Sequence, residues 1–364
     1  MNRRPTIAEQ LARQGISRRA FLKFCAATAS LMALPPGMAP AIAEALGKIR
    51  RPSVIWLSFQ ECTGCTESLT RSHSPTVESL IFDMISLDYH HTLQAASGEA
   101  AEHAREEAMK EPGYLVLVDG SIPIKDGGIY STIAGISNLQ MLKDTVENAA
   151  AVVSIGTCAA FGGIPMANPN PTGAAGVQAL MDQGLIARKP VINVPGCPPI
   201  PAVITGVLAH YLTFGAIPPL DALGRPLNFY GDSIHDRCYR RPFYDQGKFA
   251  KTFDDEGARK GWCLFELGCK GPTTHNACAT TKWNDGTSFP IESGHGCIGC
   301  SEPNFWDAGS FYKALSAPAD PLSFAAGAAV AGAAVGVGMS FMNRAKKSSA
   351  KAAHETATLK DLEK

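Results

Sequence analysis

Ten of the eleven cysteines in this 364-residue chain lie between Cys62 and Cys300. They are too sparse for a small disulfide scaffold and too many for an ordinary cytosolic enzyme. Thiols in that number serve as ligands or as bridges, and whatever fold the chain adopts has to gather them. Composition narrows the partners. Charged residues make up 18% and formal net charge is zero, against roughly 25% charged in average soluble domains. No basic excess points to nucleic acid.

The backbone that gathers the first cysteines reads as α/β. Val54-Ile55-Trp56-Leu57, Tyr114 to Val118, Ala151 to Ile155 and Val191 to Val194 are short apolar runs rich in β-branched residues, the pattern of strands buried on both faces. Between them the spacing predicts helices over 76–87, 98–110, 139–149 and 174–183. Strand–helix alternation implies an open, doubly wound parallel sheet. Cys62 and Cys65 follow the first run, Cys158 follows Ile155 and Cys197 follows Val194. All four thiols are therefore expected past the carboxyl ends of strands, where open α/β sheets hold their ligands. Gly64, Gly156, Gly196 and Pro198 surround them, as close backbone approach to a bound group requires.

Beyond Pro226 the texture changes. Residues 227–311 show little periodicity and hold six cysteines. So little apolar core is marginal without metal or covalent staples. The spacings are His235-x2-Cys238-x24-Cys263-x5-Cys269, then Cys278-x18-Cys297-x2-Cys300. Thiolates suit iron–sulfur clusters or zinc. Zinc sites built from four cysteines usually use paired C-x2-C units, and this region has one.

Both ends fall outside the fold. Ser17-Arg18-Arg19-Ala20-Phe21-Leu22-Lys23 precedes an apolar stretch to Leu34, and Ala43-Glu44-Ala45 gives an A-x-A cleavage pattern. The pair Arg18-Arg19 is the twin-arginine address of a leader ending near Ala45, which carries proteins already folded. Pro321 to Met342 holds no charge, and about 20 such residues span a bilayer. Arg344-Ala345-Lys346-Lys347 follows, which marks the cytoplasmic side and leaves the bulk of the chain opposite. Removing the leader removes Cys25. The remaining ten cysteines plus His235 divide as four, four and three, with Pro290 where a fourth ligand of the last set would fall. Three thiolates suit a 3Fe–4S centre, and none remains for a disulfide.

Four motifs are more specific: Glu61-Cys62-Thr63-Gly64-Cys65-Thr66-Glu67-Ser68, Pro195-Gly196-Cys197-Pro198-Pro199, Gly268-Cys269-Lys270-Gly271-Pro272, and Gly294-His295-Gly296-Cys297-Ile298-Gly299-Cys300-Ser301-Glu302-Pro303-Asn304-Phe305-Trp306. With them the chain resembles, over nearly its whole length, the small subunit of membrane-bound, uptake-type nickel–iron hydrogenases. The resemblance implies a leader over 1–45, a flavodoxin-like domain over 46–225, an iron–sulfur domain over 226–316, a transmembrane anchor over 317–342 and a cytoplasmic tail over 343–364. It implies a proximal 4Fe–4S cluster on Cys62, Cys65, Cys158 and Cys197, and a distal 4Fe–4S cluster on His235, Cys238, Cys263 and Cys269. A medial 3Fe–4S cluster would sit between them on Cys278, Cys297 and Cys300. The expected partners are a large subunit holding the nickel–iron centre, a membrane b-type cytochrome that passes electrons to quinone, and the lipid bilayer. The expected location is the periplasmic side of the inner membrane. The R-x-C-x2-C and D-P-C-x2-C motifs that hold nickel and iron in the large subunit are absent, so no catalytic residue is expected here. Oxygen-tolerant relatives carry two further cysteines near the proximal cluster, and the matching positions here are Gly64 and Gly163.

Rival readings are a ferredoxin-like carrier, an iron–sulfur subunit of another exported membrane complex, or a zinc- or disulfide-stapled binding module. Glu61 and Glu67 are read as proton or potential-tuning groups or as helix caps, and His73, His90 and His91 as surface residues.

Overall fold

The computed structural model describes residues 6–13, 17–31, 34–48, 51–308 and 312. Its centre is a five-stranded, all-parallel sheet of β1 (Ser53–Ser58), β2 (Ser86–Tyr89), β3 (Leu115–Asp119), β4 (Ala151–Ile155) and β5 (Val191–Val194), in the order β2-β1-β3-β4-β5. This is the flavodoxin-like strand order.

Alternation along the strands builds two cores. Val54, Trp56, Leu115, Leu117, Val153, Ile192 and Val194 face one side. Ile55, Leu57, Val116, Val118 and Val152 face the other. Leu115 to Val118 are each at most 1% exposed, and four such side chains contribute on the order of 6–12 kcal/mol before entropy is counted. A charge at Val116 or Val118 would be buried without a partner and would break the central strand.

The helices follow in chain order: α1 (Ile7–Arg13), α2 (Arg18–Leu31), α3 (Ala39–Lys48), α4 (Gly64–Thr70), α5 (Glu99–Met109), α6 (Asn138–Val146), α7 (Gly156–Phe161), α8 (Val177–Asp182) and α9 (Pro201–Phe214). Helices α6 and α8 cover the second core through Met141, Leu142, Val146, Val177, Leu180 and Met181. On the other side lies α9, apolar on nearly all faces, with Pro201 in its first turn and Gly215 at φ 62° ending it. Residues read from sequence as a leader also fold here: α2 and α3 pack on one another and on α9, burying Cys25, Ala29 and Ile42.

Among its described residues the cysteine-rich segment carries no sheet of its own beyond isolated bridges. Short helical turns at Leu227–Tyr230, Arg241–Asp245 and Glu256–Arg259 are its main regular structure. Its apolar residues Phe229, Tyr230, Ile234, Leu264, Leu267, Phe289 and Ile291 join the first core, so the α/β layer and the irregular segment share one interior.

One expected helix is different. Over 76–87 only Val77–Ser79 is α-helical; a π-turn at Leu80–Met84 follows, and then β2. Arg51 donates from Nε to the Ile85 carbonyl at 2.7 Å and from Nη2 to that of Ile81 at 2.6 Å. These bonds satisfy carbonyls that a continuing helix would have used. The apolar stretch from Pro321 to Met342 and the basic residues after it lie outside the described residues. Among the described residues, no helix is long and apolar enough to cross a membrane.

Candidate metal centres

Each cysteine predicted at a strand end is there. Cys62 sits in the turn before α4 and Cys65 in its first turn, Cys158 is in α7 directly after β4, and Cys197 follows β5. The four thiols lie close enough that each of Cys65 and Cys158 is pushed upward in pKa by its neighbours as well as by burial, Cys158 to about 12. Glycine makes the approach possible. A Cβ on Gly156, at φ +87°, would lie 2.5 Å from the Cys65 sulfur. One on Gly163, at φ +57°, would lie 2.7 Å from that of Cys158. Cys62 is exposed while Cys65, Cys158 and Cys197 are partly covered, so this group opens at the surface.

The C-terminal thiols form two further groups. Cys278, Cys297 and Cys300 line a largely apolar cavity of about 320 Å³ with Ile234, Phe289 and Pro290. His235, Cys238, Cys263 and Cys269 together line a smaller recess. Burial holds the thiols protonated: Cys278, Cys297 and Cys300 are pushed up to about 12 and Cys263 to about 11. Thiols this crowded and this dry are poor anions by themselves and bind well only to a cationic centre that replaces their protons. Burial also pushes His235 below its usual pKa, which keeps the imidazole neutral and able to ligate.

The three groups are joined end to end. Cys300, in the third set, lies within electrostatic reach of Cys197. Thr157, beside Cys158, donates its hydroxyl to the Cys300 carbonyl and accepts from the Gly196 N–H at 2.9 Å. At the other end the Cys297 N–H donates to the Cys269 sulfur at 3.3 Å, and the Lys270 N–H to the Cys297 carbonyl at 2.7 Å. The pair Cys297-x2-Cys300 thus faces the first group through one residue and the second through the other.

Buried ion pairs hold that bridging loop. Arg225, 4% exposed, donates to Asp221 at 2.7 Å and to Glu302 at 2.9 Å. Glu302 also accepts the His275 N–H at 2.6 Å. The Tyr230 hydroxyl, fully buried, donates to the Pro195 carbonyl at 2.7 Å, two residues before Cys197.

The donor set fits iron and sulfide better than a lone ion. Among the described residues, no three His, Cys, Asp or Glu side chains are close enough to hold one metal ion. At the third set the thiols surround space, the 320 Å³ cavity. Two buried carboxyl oxygens near the first group, Glu61 Oε2 and Asp119 Oδ1, also lack a partner among the described residues.

Sequence reading missed several of these residues. Thr157, Arg225 and Asp119 have no motif of their own; an acid closing the apolar run Leu115–Val118 was the one available signal. His90 is corrected: it is fully buried against Trp56, with ring centroids 4.9 Å apart, whereas His73 and His91 are exposed as expected. Glu61 does not cap α4, because its one hydrogen-bond partner among the described residues is the Thr63 hydroxyl at 3.2 Å, and Glu67 pairs with Arg71 on the exposed surface.

Comparison with known proteins agrees with this geometry. Residues 230–313 match the family model for the C-terminal part of the NiFe/NiFeSe hydrogenase small subunit. Residues 62–211 match that of the NADH ubiquinone oxidoreductase 20 Kd subunit. The uptake hydrogenase small subunit of Azotobacter vinelandii is 49% identical over 318 residues, which is 87% of each chain. The periplasmic NiFe hydrogenase small subunit 1 of Nitratidesulfovibrio vulgaris is 51% identical over 308 residues, 84% of this chain and 96% of that one. A solved structure of the Ni-Fe-Se hydrogenase from Desulfomicrobium baculatum, in its reduced, active form, superposes with a TM-score of 0.68 at 37% identity, covering 73% of this chain and 100% of that one. The chain belongs to the nickel–iron hydrogenase small-subunit family.

Proposed function

We propose that this chain is the electron-conducting subunit of a membrane-bound uptake hydrogenase, carrying electrons through three iron–sulfur clusters in series. The observation that supports it most is the bridging pair, with the Cys300 carbonyl held by Thr157 beside Cys158 and the Cys297 N–H on the Cys269 sulfur. In this reading Cys62, Cys65, Cys158 and Cys197 hold a proximal 4Fe–4S cluster, and His235, Cys238, Cys263 and Cys269 a distal one. Cys278, Cys297 and Cys300 hold a medial 3Fe–4S cluster. Bound clusters supply one-electron sites whose potentials follow ligand type, hydrogen bonding and solvent exposure.

The chain's own residues do the rest. The exposed face around Cys62 receives a large subunit that holds the nickel–iron centre and splits hydrogen. Apolar walls from Ile234, Phe289 and Ile291 exclude water from the middle site, which protects thiolate–iron bonds and keeps local hydrogen bonds strong. Main-chain N–H groups aimed at sulfur, such as Gly299 on Cys297 at 3.4 Å, stabilise negative charge on the ligands. His235, on the edge of Tyr244 with centroids 4.5 Å apart, sits where electrons leave for a membrane b-type cytochrome and quinone.

Export by the Arg18-Arg19 leader over 1–45, and anchoring over 317–342 with the tail inside, would place the α/β and iron–sulfur portions (46–225 and 226–316) on the periplasmic side of the inner membrane. Metal analysis with EPR on the purified heterodimer tests the reading. Iron and sulfide for two 4Fe–4S clusters and one 3Fe–4S cluster are expected; a colourless, iron-free small subunit from properly matured material overturns it.

A further inference from the structure

The residues read as a leader carry their own helix starts. Thr6 and Glu9 cap α1 reciprocally: the Thr6 N–H donates to Glu9 Oε2 at 2.9 Å, and the Glu9 N–H to Thr6 Oγ1 at 3.1 Å. Ser17 begins α2 in the same manner. Its hydroxyl oxygen accepts the Ala20 N–H at 3.2 Å and its carbonyl the Phe21 N–H at 3.0 Å. Both helices are therefore specified locally, before any packing is counted.

Each helix turns one face to the body. On α2, Cys25 and Ala29 stand four residues apart, hence on one face, and both are fully buried; Leu22, Lys23, Ala26 and Ser30 are exposed. Ala39 and Ile42 of α3 are buried, as are Ile7 and Leu11 of α1. Helices α2 and α3 pack on α9, and α1 on the π-turn Leu80–Met84. The nature of α9 accounts for this. A helix apolar nearly all round needs cover on every side, and the short side chains of Cys25 and Ala29 let α2 approach it closely.

Burial divides the parts of the export signal. Arg19, in the paired-arginine address, is exposed in the first turn of α2. The apolar stretch behind it is the part pressed against α9. The cleavage pattern Ala43-Glu44-Ala45 falls inside α3, with both alanines partly covered. Proteases cut exposed, flexible chain most readily. A helical, packed site is cut only from the fraction of molecules in which it has opened.

We propose that the leader of the uncut chain is an autoinhibitory lid: α2 and α3 dock on α9, leaving Arg19 outside, hiding the apolar stretch and closing the cleavage site after Ala45 until the leader is pulled away. The inference rests on the reading of residues 1–45 as a cleaved twin-arginine leader. Opening the lid is a conformational step that breaks no covalent bond, and cleavage follows it.

The test uses the uncut full-length chain, purified from cells that cannot export it, beside a synthetic peptide of residues 1–52. Amide hydrogen exchange is followed over 20–31 and 39–48, and cleavage after Ala45 by the soluble catalytic domain of signal peptidase. In the full chain both are expected to be slower than in the peptide by about a hundredfold or more. Ala29→Asp puts an unpaired charge into the contact with α9; exchange should approach the peptide's rate and cleavage should quicken at least tenfold. Ala26→Asp puts the same charge on the exposed face of α2 and should match the parent. Leader amides of the parent that exchange within threefold of the peptide overturn the proposal, and they decide it alone where Ala29→Asp does not accumulate. Equal cleavage rates in Ala29→Asp and Ala26→Asp also overturn it. A peptide left uncut after Ala45 overturns instead the reading of a cleaved leader, and docking is then judged by exchange alone.

Discussion

Replacing Arg225 by Met should unfasten the loop that carries Cys297 and Cys300 while leaving every thiol in the chain. Arg225 is 4% exposed and reaches Asp221 at 2.7 Å and Glu302 at 2.9 Å, with its guanidinium also 5.7 Å from the Tyr230 ring. Removing one partner of a buried pair costs about 3–5 kcal/mol, because the charges left behind stay desolvated. Asp221 and Glu302 retain some solvent access, at 19% exposure each, so the lower end, about 3 kcal/mol, is expected. If these contacts break before the unfolding barrier, unfolding quickens by about a hundredfold. The assay is the rate at which cluster absorbance bleaches when the purified heterodimer is placed in urea. Glu302→Gln, which keeps an acceptor for the His275 N–H, should cost less, and the Arg225→Met/Glu302→Gln pair less than the sum of the single changes. A bleaching rate for Arg225→Met within threefold of the parent would refute the reasoning.

Other consequences follow from the same geometry. Gly156→Ala puts a methyl group 2.5 Å from the Cys65 sulfur at φ +87°, so the first cluster's EPR signal should be lost while the other two remain. Metal-free chain should lose stability with rising pH. Cys278, Cys297 and Cys300 are pushed up from an ordinary 9.0 to about 12, so the folded state holds protons that the unfolded state gives up. Stability is then full below about pH 9 and falls from there to about pH 12; a melting series on apo protein that is flat over that window contradicts it. With Gly64 and Gly163 in place of two cysteines, hydrogen oxidation should stop in air; sustained aerobic turnover of the heterodimer would contradict this.

Much of the fold was legible because its strands are buried on both faces. Leu115 to Val118 and Ala151 to Ile155 announce themselves as unbroken apolar runs. Strand β2 did not, since Ser86-Leu87-Asp88-Tyr89 is short and half polar, and the helical pattern before it ran on to Leu87. What ends that helix is Arg51, some 30 residues away in sequence, and no local pattern encodes such a bond. The thiol groups were legible from spacing and strand ends, as the placement of Cys158 and Cys197 after β4 and β5 illustrates. The supporting residues were not. His90 stands beside an exposed His91 in a polar stretch, and only the packing of Trp56 decides which of the two is buried. Arg225 and Glu302 lie 77 residues apart, so their pairing exists only once the irregular segment has folded onto the sheet.

Redox-poised EPR on the heterodimer, with iron and acid-labile sulfide measured on the same sample, tests the account most directly. Two 4Fe–4S clusters and one 3Fe–4S cluster are expected, with the 3Fe–4S signal broadened by magnetic coupling to both neighbours and abolished by Cys300→Ser. A single cluster, a 3Fe–4S signal uncoupled from the others, or protein free of iron would contradict it.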